Sequence, residues 1–211
     1  GEDMGDDPRT QVAELSDGTA VAVWLRMVPP GVSRNVFESH RDASGTWSAP
    51  SALYVGGDDN QALSIAADGQ GGAIAVWEVS SGGFGTVLFA RFSSGAWSFP
   101  GMVSAGAGDI WEPRVAVAPD GTAWAVWSET TDAYVTSHLV ASYFDGLTWQ
   151  ASAEVPDSTG ANDAALAISA TGTLTIASQY DTGGGIIGLR LRQHRADGWH
   201  ELGDVAGAGR S

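Results

Sequence analysis

The sequence predicts an all-β protein, a β-propeller built from four four-stranded antiparallel blades. One marker is an Ala/Val strand that follows a polar turn. The reference positions of its four copies are 53, 50 and 51 residues apart: Trp24, Trp77, Trp127 and the degenerate Ser178. A second marker, a tryptophan after a glycine turn, steps by 50, 52 and 50 residues: Trp47, Trp97, Trp149 and Trp199. Two independent markers with one period of about 50 residues indicate an internal repeat of the propeller, solenoid or array type.

Each repeat contains four short apolar strands that are separated by turns rich in Gly, Asp, Asn and Ser. In the second repeat the predicted strands are 62–67, 73–79, 86–92 and 96–103, and in the third 114–119, 123–128, 137–144 and 148–155. The third strands of the first and last repeats are 35–41 and 187–194. No segment keeps a helical period. We expect a single domain, 1–211, with blades at about 8–59, 60–111, 112–162 and 163–211.

The second strand of each repeat decides between propeller and sandwich. Alternation places Ala20, Ala22 and Trp24 on one face and Val21 and Val23 on the other. Neither face is charged, so both are expected to be buried, whereas most strands of a β-sandwich keep one polar face. Radial stacking of such sheets is a propeller. The four tryptophans that follow glycine turns are accordingly expected to pack between blades.

Both chain ends resemble inter-blade linkers, since 1–9 parallels 107–114 and 206–209 parallels 105–108. Four repeats fill the chain, which leaves three arrangements open. The four blades could close as a ring in a monomer, form part of a longer propeller or assembly, or pair with a second copy in an eight-bladed ring.

Composition limits the partners. The net charge is −15, with 25 acidic residues and no lysine, so phosphate backbones are repelled and no nucleic-acid partner is expected. The acidic surface is interpreted as a solvated shell or as a surface that attracts cations. Cysteine is absent, which excludes disulfides and thiolate chemistry. No apolar run is long enough to span a membrane. We expect an extracellular or cell-surface bacterial protein, or a periplasmic one, and the polar start shows no signal peptide.

The stretch 142–149, Ser-Tyr-Phe-Asp-Gly-Leu-Thr-Trp, resembles the Asp-box of the sialidase-like propellers, Ser-x-Asp-x-Gly-x-Thr-Trp, with Asp145 displaced by one position. A looser version covers 39–47. The whole repeat, with Trp-Ser-x-Pro at 47–50 and 97–100, is similar to bacterial secreted propeller lectins. This resemblance implies a propeller fold in which the Asp-box stabilises a turn, in enzymes and non-enzymes alike.

The linkers that enter the first strand of each blade are expected near the central axis. Trp111 is unusual there, because the other repeats have Asp6, Asp59 or Asn162. An indole at such a position either stacks on a sugar ring or plugs the central channel. The predicted ligand-binding residues are Trp111, Asp109, Glu112, Arg114, Arg9 and Asp59.

No cofactor is expected apart from a possible Ca²⁺ ion, because carboxylate oxygens are the ligands this ion prefers. The candidate ligands are Asp58, Asp59 and Asp163, which are otherwise interpreted as ordinary turn residues.

The sequence favours a non-enzymatic binding module for a glycan or a protein surface, most of all a lectin-like carbohydrate-binding propeller. One alternative is a blade segment of a larger structural surface protein. Another is a glycosidase or lyase of the sialidase-like fold, which requires two rim carboxyl groups at catalytic separation, one with a raised pKa. No catalytic residue is assigned.

Overall fold

Four antiparallel sheets, one after another along the chain, make up the described part of the computed structural model, which covers residues 10–27, 33–56, 59–81, 84–105, 108–130, 136–181 and 187–205. Every regular element in these residues is a β-strand, so the predicted all-β propeller architecture is confirmed. The same residues contain no helix long and apolar enough to cross a membrane.

Each sheet is one blade, with its strands in sequence order. Blade 1 contains β1 (Thr10–Glu14), β2 (Ala20–Met27), β3 (Arg34–Arg41) and β4 (Ser51–Tyr54). Blade 2 contains β5 (Asp59–Ala67), β6 (Ala73–Ser81), β7 (Phe84–Ser93), β8 (Ala96–Trp97) and β9 (Gly101–Ala105). Blade 3 contains β10 (Asp109–Val117), β11 (Ala123–Thr130), β12 (Ser137–Phe144) and β13 (Ala153–Glu154). Blade 4 contains β14 (Ala161–Ile168), β15 (Leu174–Asp181), β16 (Ile187–Arg195) and β17 (Gly198–Val205).

The outer strand of blade 2 is interrupted, although the sequence predicts one continuous strand over 96–103. Both β8 and β9 pair with β7, and the Trp-Ser-x-Pro stretch separates them. Two local features explain the break. The Ser98 hydroxyl accepts a hydrogen bond from the backbone amide of Arg91 at 3.0 Å. Pro100 has no amide hydrogen to give to the ladder, which is why proline is confined to sheet edges and irregular strands.

An aspartate turn closes the first hairpin of blades 1 to 3. In blade 3 the Asp120 carboxylate accepts hydrogen bonds from the Thr122 amide at 2.9 Å and from its hydroxyl at 2.7 Å. These bonds hold the pKa of Asp120 below its ordinary value. Gly121 has φ +84°, the left-handed conformation that glycine adopts at little cost. The Asp-Gly signal in the sequence therefore marks a real turn.

The blades stack through their second strands. Ile74 and Val76 of blade 2 share a buried cluster with Ala125 and Trp127 of blade 3. Trp77 and Trp127 are both fully buried. The inner strands β1, β5, β10 and β14 lie side by side in that order. The prediction of two buried faces on each second strand is therefore confirmed for blades 2 and 3.

Blade 1 differs because no described blade precedes it. Trp24, the repeat equivalent of Trp77, is only half-buried, and Val12 is 64% exposed. Trp47 is 44% exposed, so the prediction that it packs between blades is wrong within the described structure. Its three counterparts do pack against the inter-blade clusters: Trp97, Trp149 and Trp199. Strands β1 and β14 make no comparable contact, so the described blades form an open arc.

Replacing Trp77 and Trp24 tests this packing with a matched pair. Trp77→Ala should lower the free energy of unfolding by about 3–5 kcal/mol, because a fully buried indole leaves a cavity. Trp24→Ala, at the equivalent but half-buried position, should lower it distinctly less. Urea denaturation followed by far-ultraviolet circular dichroism measures both. Equal losses from the two variants would contradict the stacking order described above.

Candidate functional site

The inner strands of blades 2, 3 and 4 each carry a β-bulge near their first residues. Their pairing register shifts between Gln61 and Leu63, between Trp111 and Arg114, and between Asn162 and Ala164. The bulges contain the non-glycine positive-φ residues Ala62 (36°), Glu112 (56°) and Asp163 (45°). Bulges re-aim side chains at sheet edges, and such backbone conformations are concentrated at functional sites.

The predicted inter-blade linkers are wrong as linkers, because their described residues belong to strands β5, β10 and β14. The bulges explain the error, since they break the period-two pattern that marks a strand. The pairing register also corrects the predicted blade 2 counterpart of Trp111. Trp111 pairs with Ser128 and Gln61 pairs with Glu78, and Ser128 and Glu78 each directly follow the repeat tryptophan. The equivalent of Trp111 in blade 2 is therefore Gln61 and not Asp59.

Asp59 is held by an arginine from the preceding blade. Arg34, the first residue of β3, donates to Asp59 from its backbone amide at 3.1 Å and from Nε at 3.0 Å. Its terminal nitrogen lies 2.5 Å from the second carboxylate oxygen. The Arg34 hydrogen bond is the main reason that the pKa of Asp59 is lowered. The sequence analysis missed Arg34, because only the tertiary fold brings it to a residue 25 positions away.

Arg114 connects blades 3 and 4. Its guanidinium lies 2.6 Å from the Glu112 carboxylate and 3.5 Å from that of Asp163. Asp163 also accepts a hydrogen bond from Gln179 at 3.2 Å. The structure therefore brings together two predicted ligand-binding residues, Glu112 and Arg114, with one predicted metal ligand, Asp163.

Glu78 is a second residue of this region that the sequence analysis missed. It lies opposite Gln61 on β6 and is only 4% exposed. Burial raises its pKa to about 8, and the negative charges of Asp109, Glu112 and Asp59 add to the shift, while Arg34 opposes it. Its carboxyl group is therefore protonated at neutral pH. The available signal was a lone acid in an otherwise apolar strand, Ala-Ile-Ala-Val-Trp-Glu-Val at 73–79.

A second buried acid in the same inter-blade layer behaves differently. Glu129, on β11, is 6% exposed and accepts a hydrogen bond from Trp127 Nε1 at 3.2 Å. Glu78 directly follows the repeat tryptophan Trp77, whereas Glu129 comes two residues after the equivalent Trp127. Because side chains alternate along a strand, Glu78 lies on the face of blade 2 opposite to Trp77, and Glu129 lies on the same face of blade 3 as Trp127. Trp77 Nε1 is correspondingly buried without a hydrogen-bond partner.

Trp111 is half-buried on β10, and alternation places it on the same side of the strand as Asp109. Within the described residues its indole makes none of the ring contacts or hydrogen bonds that hold other tryptophans, for example Trp97. Arg9 and Asp58, also predicted, lie outside the described residues. We call the following group the rim cluster: Arg34, Asp59, Glu78, Asp109, Trp111, Glu112, Arg114 and Asp163.

The described residues contain no group of three or more His, Asp or Glu side chains arranged to hold a metal ion. Of the candidate calcium ligands in that part of the chain, Asp59 is bound by Arg34 and Asp163 lies beside Arg114. The rim cluster combines carboxyl groups, guanidinium groups and the half-buried indole of Trp111.

Two grooves lie between blades, toward the end opposite the bulges. One, of about 490 Å³ between blades 3 and 4, is lined by side chains that include Trp124, Tyr143 and His194. Its counterpart between blades 1 and 2, about 390 Å³, includes Glu38, His40 and Trp97. Between blades 2 and 3 the guanidinium of Arg91 reaches across to the carbonyl of Gly146 at 3.3 Å. Neither groove was predicted.

No known protein-family profile and no curated protein sequence matches the chain. Solved structures do resemble it. An α-L-arabinanase from Penicillium chrysogenum complexed with arabinobiose aligns with TM-score 0.63 and 16% identity over 94% of this chain and 67% of that one. A six-bladed fucose-recognising lectin from Aleuria aurantia aligns with TM-score 0.57 and 16% identity over 91% and 59%. A subtype N10 neuraminidase-like protein of A/little yellow-shouldered bat aligns with TM-score 0.56 and 10% identity over 92% and 59%.

At such identities these likenesses show the fold alone. The chain spans 59% of the length of the lectin and 67% of that of the arabinanase, so it corresponds to part of each propeller. The described structure and the comparisons together identify this chain as similar to proteins of the β-propeller fold.

The raised pKa of Glu78 predicts a pH-dependent stability. The folded chain keeps the Glu78 proton up to about pH 8, whereas an unfolded glutamate loses it near its ordinary value of 4.5. The contribution of Glu78 to the free energy of unfolding is therefore fully present below its unfolded-state pKa and is lost as the pH rises toward about 8. Over this range the free energy of unfolding falls by at most about 1.4 kcal/mol per pH unit.

Glu78→Gln should remove this slope from the free energy of unfolding, as measured by urea denaturation between pH 5 and 8. Glu154→Gln, at an exposed position on β13, is the control and should keep the slope of the unmodified protein. An unchanged slope in Glu78→Gln would show that Glu78 titrates normally in the folded state.

Proposed function

We propose that the chain is a non-enzymatic carbohydrate-binding propeller module whose ligand occupies the rim cluster. The observation that carries this proposal is the half-buried Trp111 indole, without a ring partner among the described residues, on the same bulged strand as Asp109 and Glu112. Sugars present apolar CH faces and rings of hydroxyl groups. An aromatic face beside fixed carboxylates suits both.

The two arginines give the site its rigidity. Arg34 fixes Asp59 across the boundary of blades 1 and 2, and Arg114 holds Glu112 beside Asp163 across the boundary of blades 3 and 4. Such charge-assisted hydrogen bonds hold the acceptors in place before a ligand arrives, which lowers the entropy lost on binding. The resemblance of the fold to a fucose-recognising lectin and to an arabinanase bound to arabinobiose supports a carbohydrate ligand.

A second candidate function is glycoside hydrolysis, which the protonation of Glu78 favours. A neutral carboxyl group near ionised ones is the arrangement that a general acid and its partner need. Glu78 is only 4% exposed, however, and a general acid must come within hydrogen-bond reach of the glycosidic oxygen. Binding without catalysis is therefore the function we prefer.

The exposed flank of blade 1 fits a third role, as a blade segment of a larger surface protein. Ala22 and Trp24 are half-buried there, whereas their equivalents in blades 2 and 3 are fully buried against a neighbouring blade. In the proposal the module acts outside a bacterial cell, where glycans are displayed. This role is compatible with glycan binding at the rim cluster.

Binding of immobilised glycans and titration with α-methyl-L-fucoside and arabinobiose test the preferred function. Trp111→Ala should weaken binding by at least about tenfold, because the stacking surface is lost. Trp47→Ala removes an exposed indole of blade 1 and should leave affinity unchanged. Gln150→Ala alters the groove between blades 3 and 4. Loss of binding in Gln150→Ala, with Trp111→Ala unaffected, would place the ligand in that groove.

A reducing-sugar assay on arabinan addresses the enzymatic alternative. If the chain is a binding module, the unmodified protein should release no reducing ends from arabinan. The Glu78→Gln variant should then give the same absence of release. Release that disappears in Glu78→Gln, with folding intact by circular dichroism, would replace the binding proposal with glycoside hydrolysis.

A further inference from the structure

The groove between blades 1 and 2 contains an acid at a position that is apolar in the other blades. Glu38 of β3 pairs with Val23, and the residues in the same register of blades 2, 3 and 4 are Phe89, Ala141 and Leu191. Glu38 is 7% exposed and lines the groove. Burying a carboxylate costs free energy, so this acid departs from the repeat at the expense of stability.

Two neutral donors hold the Glu38 carboxylate in one orientation. The Ser51 hydroxyl donates to Oε1, and the indole Nε1 of Trp97 in blade 2 donates to Oε2 at 3.3 Å. The counterpart of Trp97 at the next blade boundary is Trp149, which contacts Phe89 in place of an acid and whose Nε1 is buried without a hydrogen-bond partner. The Ser51 and Trp97 donors occupy two of the roughly four acceptor positions of a carboxylate.

The charge of Glu38 has no permanent cation beside it in this groove. The described residues that line the groove include one other ionisable side chain, His40, whose Nδ1 lies 3.6 Å from Glu38 Oε2 and whose side chain is 42% exposed. The rim cluster differs, because Arg34 holds Asp59 there. At about pH 7.5 an ordinary imidazole is largely neutral. A cationic ligand would therefore supply the positive charge and the further N–H donors that the carboxylate can accept.

Aromatic rings of blade 2 line the same groove. Phe92 and Trp97 contact each other edge to face, with ring centroids 5.3 Å apart, and His40 lies 6.0 Å from Phe92. Phe99, which also lines the groove, is 97% exposed. A guanidinium group is planar and weakly hydrated, so it stacks on aromatic rings while it pairs with a carboxylate, whereas a compact ammonium group holds its water more strongly. The groove therefore favours a guanidinium group over an ammonium group.

We infer that this groove binds an arginine side chain of an extended segment of a partner protein, with its guanidinium group beside Glu38 and against Trp97. Phe99 supports a protein segment over a small guanidinium compound, because an almost fully exposed ring gives the residues next to the arginine an apolar contact. The chain's charge of −15 attracts a basic segment at long range. The site lies apart from the rim cluster and is independent of carbohydrate binding.

The hydrogen bond from Trp97 to Glu38 gives this site a spectroscopic signature. A guanidinium group beside Glu38 Oε2 would change the environment of the Trp97 Nε1–H group, which donates to the same oxygen. The indole resonance of Trp97 in a ¹⁵N–¹H correlation spectrum should therefore shift on binding. The variant Trp97→Phe assigns this resonance among those of the nine tryptophans.

Titrations of the full ¹⁵N-labelled chain at about pH 7.5 test the inference with three probes. These are the capped pentapeptide Ala-Leu-Arg-Leu-Ala, the same peptide with citrulline in place of arginine, and agmatine. Citrulline keeps the shape of arginine without its charge, and agmatine carries a guanidinium group without a peptide. The arginine peptide should shift the Trp97 indole resonance and bind at least about tenfold more tightly than the citrulline peptide.

Variants assign the effect to residues. Glu38→Gln keeps an acceptor oxygen for Trp97 but removes the charge, so it should weaken binding of the arginine peptide by about tenfold. Phe99→Ala alters an exposed side chain and should weaken binding of the peptide but not of agmatine. Glu154→Gln removes one exposed charge on blade 3 and should bind the arginine peptide as the unmodified protein does. Circular dichroism of each variant confirms that it is folded.

Three outcomes would overturn the inference. Equal binding of the arginine and citrulline peptides, or binding of neither, would show that the groove does not recognise a guanidinium group of a protein segment. Binding of agmatine as tight as that of the arginine peptide would assign the groove to a small guanidinium compound. Peptide binding that persists in Glu38→Gln without a shift of the Trp97 indole resonance would place the peptide elsewhere on the acidic surface.

The rim cluster gives the control that separates this inference from the proposed function. Trp111→Ala should lose glycan binding and keep the affinity for the arginine peptide, because Trp111 lies on β10 and the groove lies between blades 1 and 2. Loss of peptide binding in Trp111→Ala would overturn the assignment of the peptide to the groove.

Discussion

Close packing of uncharged second strands is the constraint on which the structure depends. Alanines such as Ala75 and Ala125, both fully buried, allow neighbouring sheets to approach, and Trp77 and Trp127 fill the space between them. Because both faces of these strands must be covered, each blade needs a neighbour on either side. The inner strands are thereby brought side by side, and the bulged ends of β5, β10 and β14 form one rim.

The β-bulges at the start of the inner strands place the polar side chains of the candidate site. In a regular strand the side chains would alternate between the two faces from the first residue onward. The positive φ of Glu112 and Asp163 interrupts this alternation near the start of β10 and β14 and changes the direction of the side chains there. Arginines from different positions in the repeat then connect the blades, Arg34 from β3 and Arg114 from β10. The repeated strands therefore position the rim cluster, and these two arginines join its parts across blade boundaries.

Glu78 shows how a one-residue difference between repeats changes the environment of a buried acid. Glu129 lies one repeat position further along its strand, and it is satisfied by the Trp127 indole. Glu78 faces the other way, keeps no such partner, and is neutral in a group of carboxylates. The protonation of Glu78 and the stability of the fold are therefore coupled, and the fold is expected to become less stable as the pH rises toward about 8.

The sequence by itself determined the period, the hairpin turns and the second strands, because these depend on local chemistry: the Asp-Gly turns, the Ala/Val alternation and the repeated tryptophans. It also singled out Trp111 as an exception to the repeat, and Glu112 and Arg114 as candidate ligand-binding residues. Only the tertiary structure paired Arg34 with Asp59, buried Glu78 among carboxylates, and left Trp47 exposed at the edge of blade 1. Those features depend on distances between residues far apart in the chain, which no local pattern encodes.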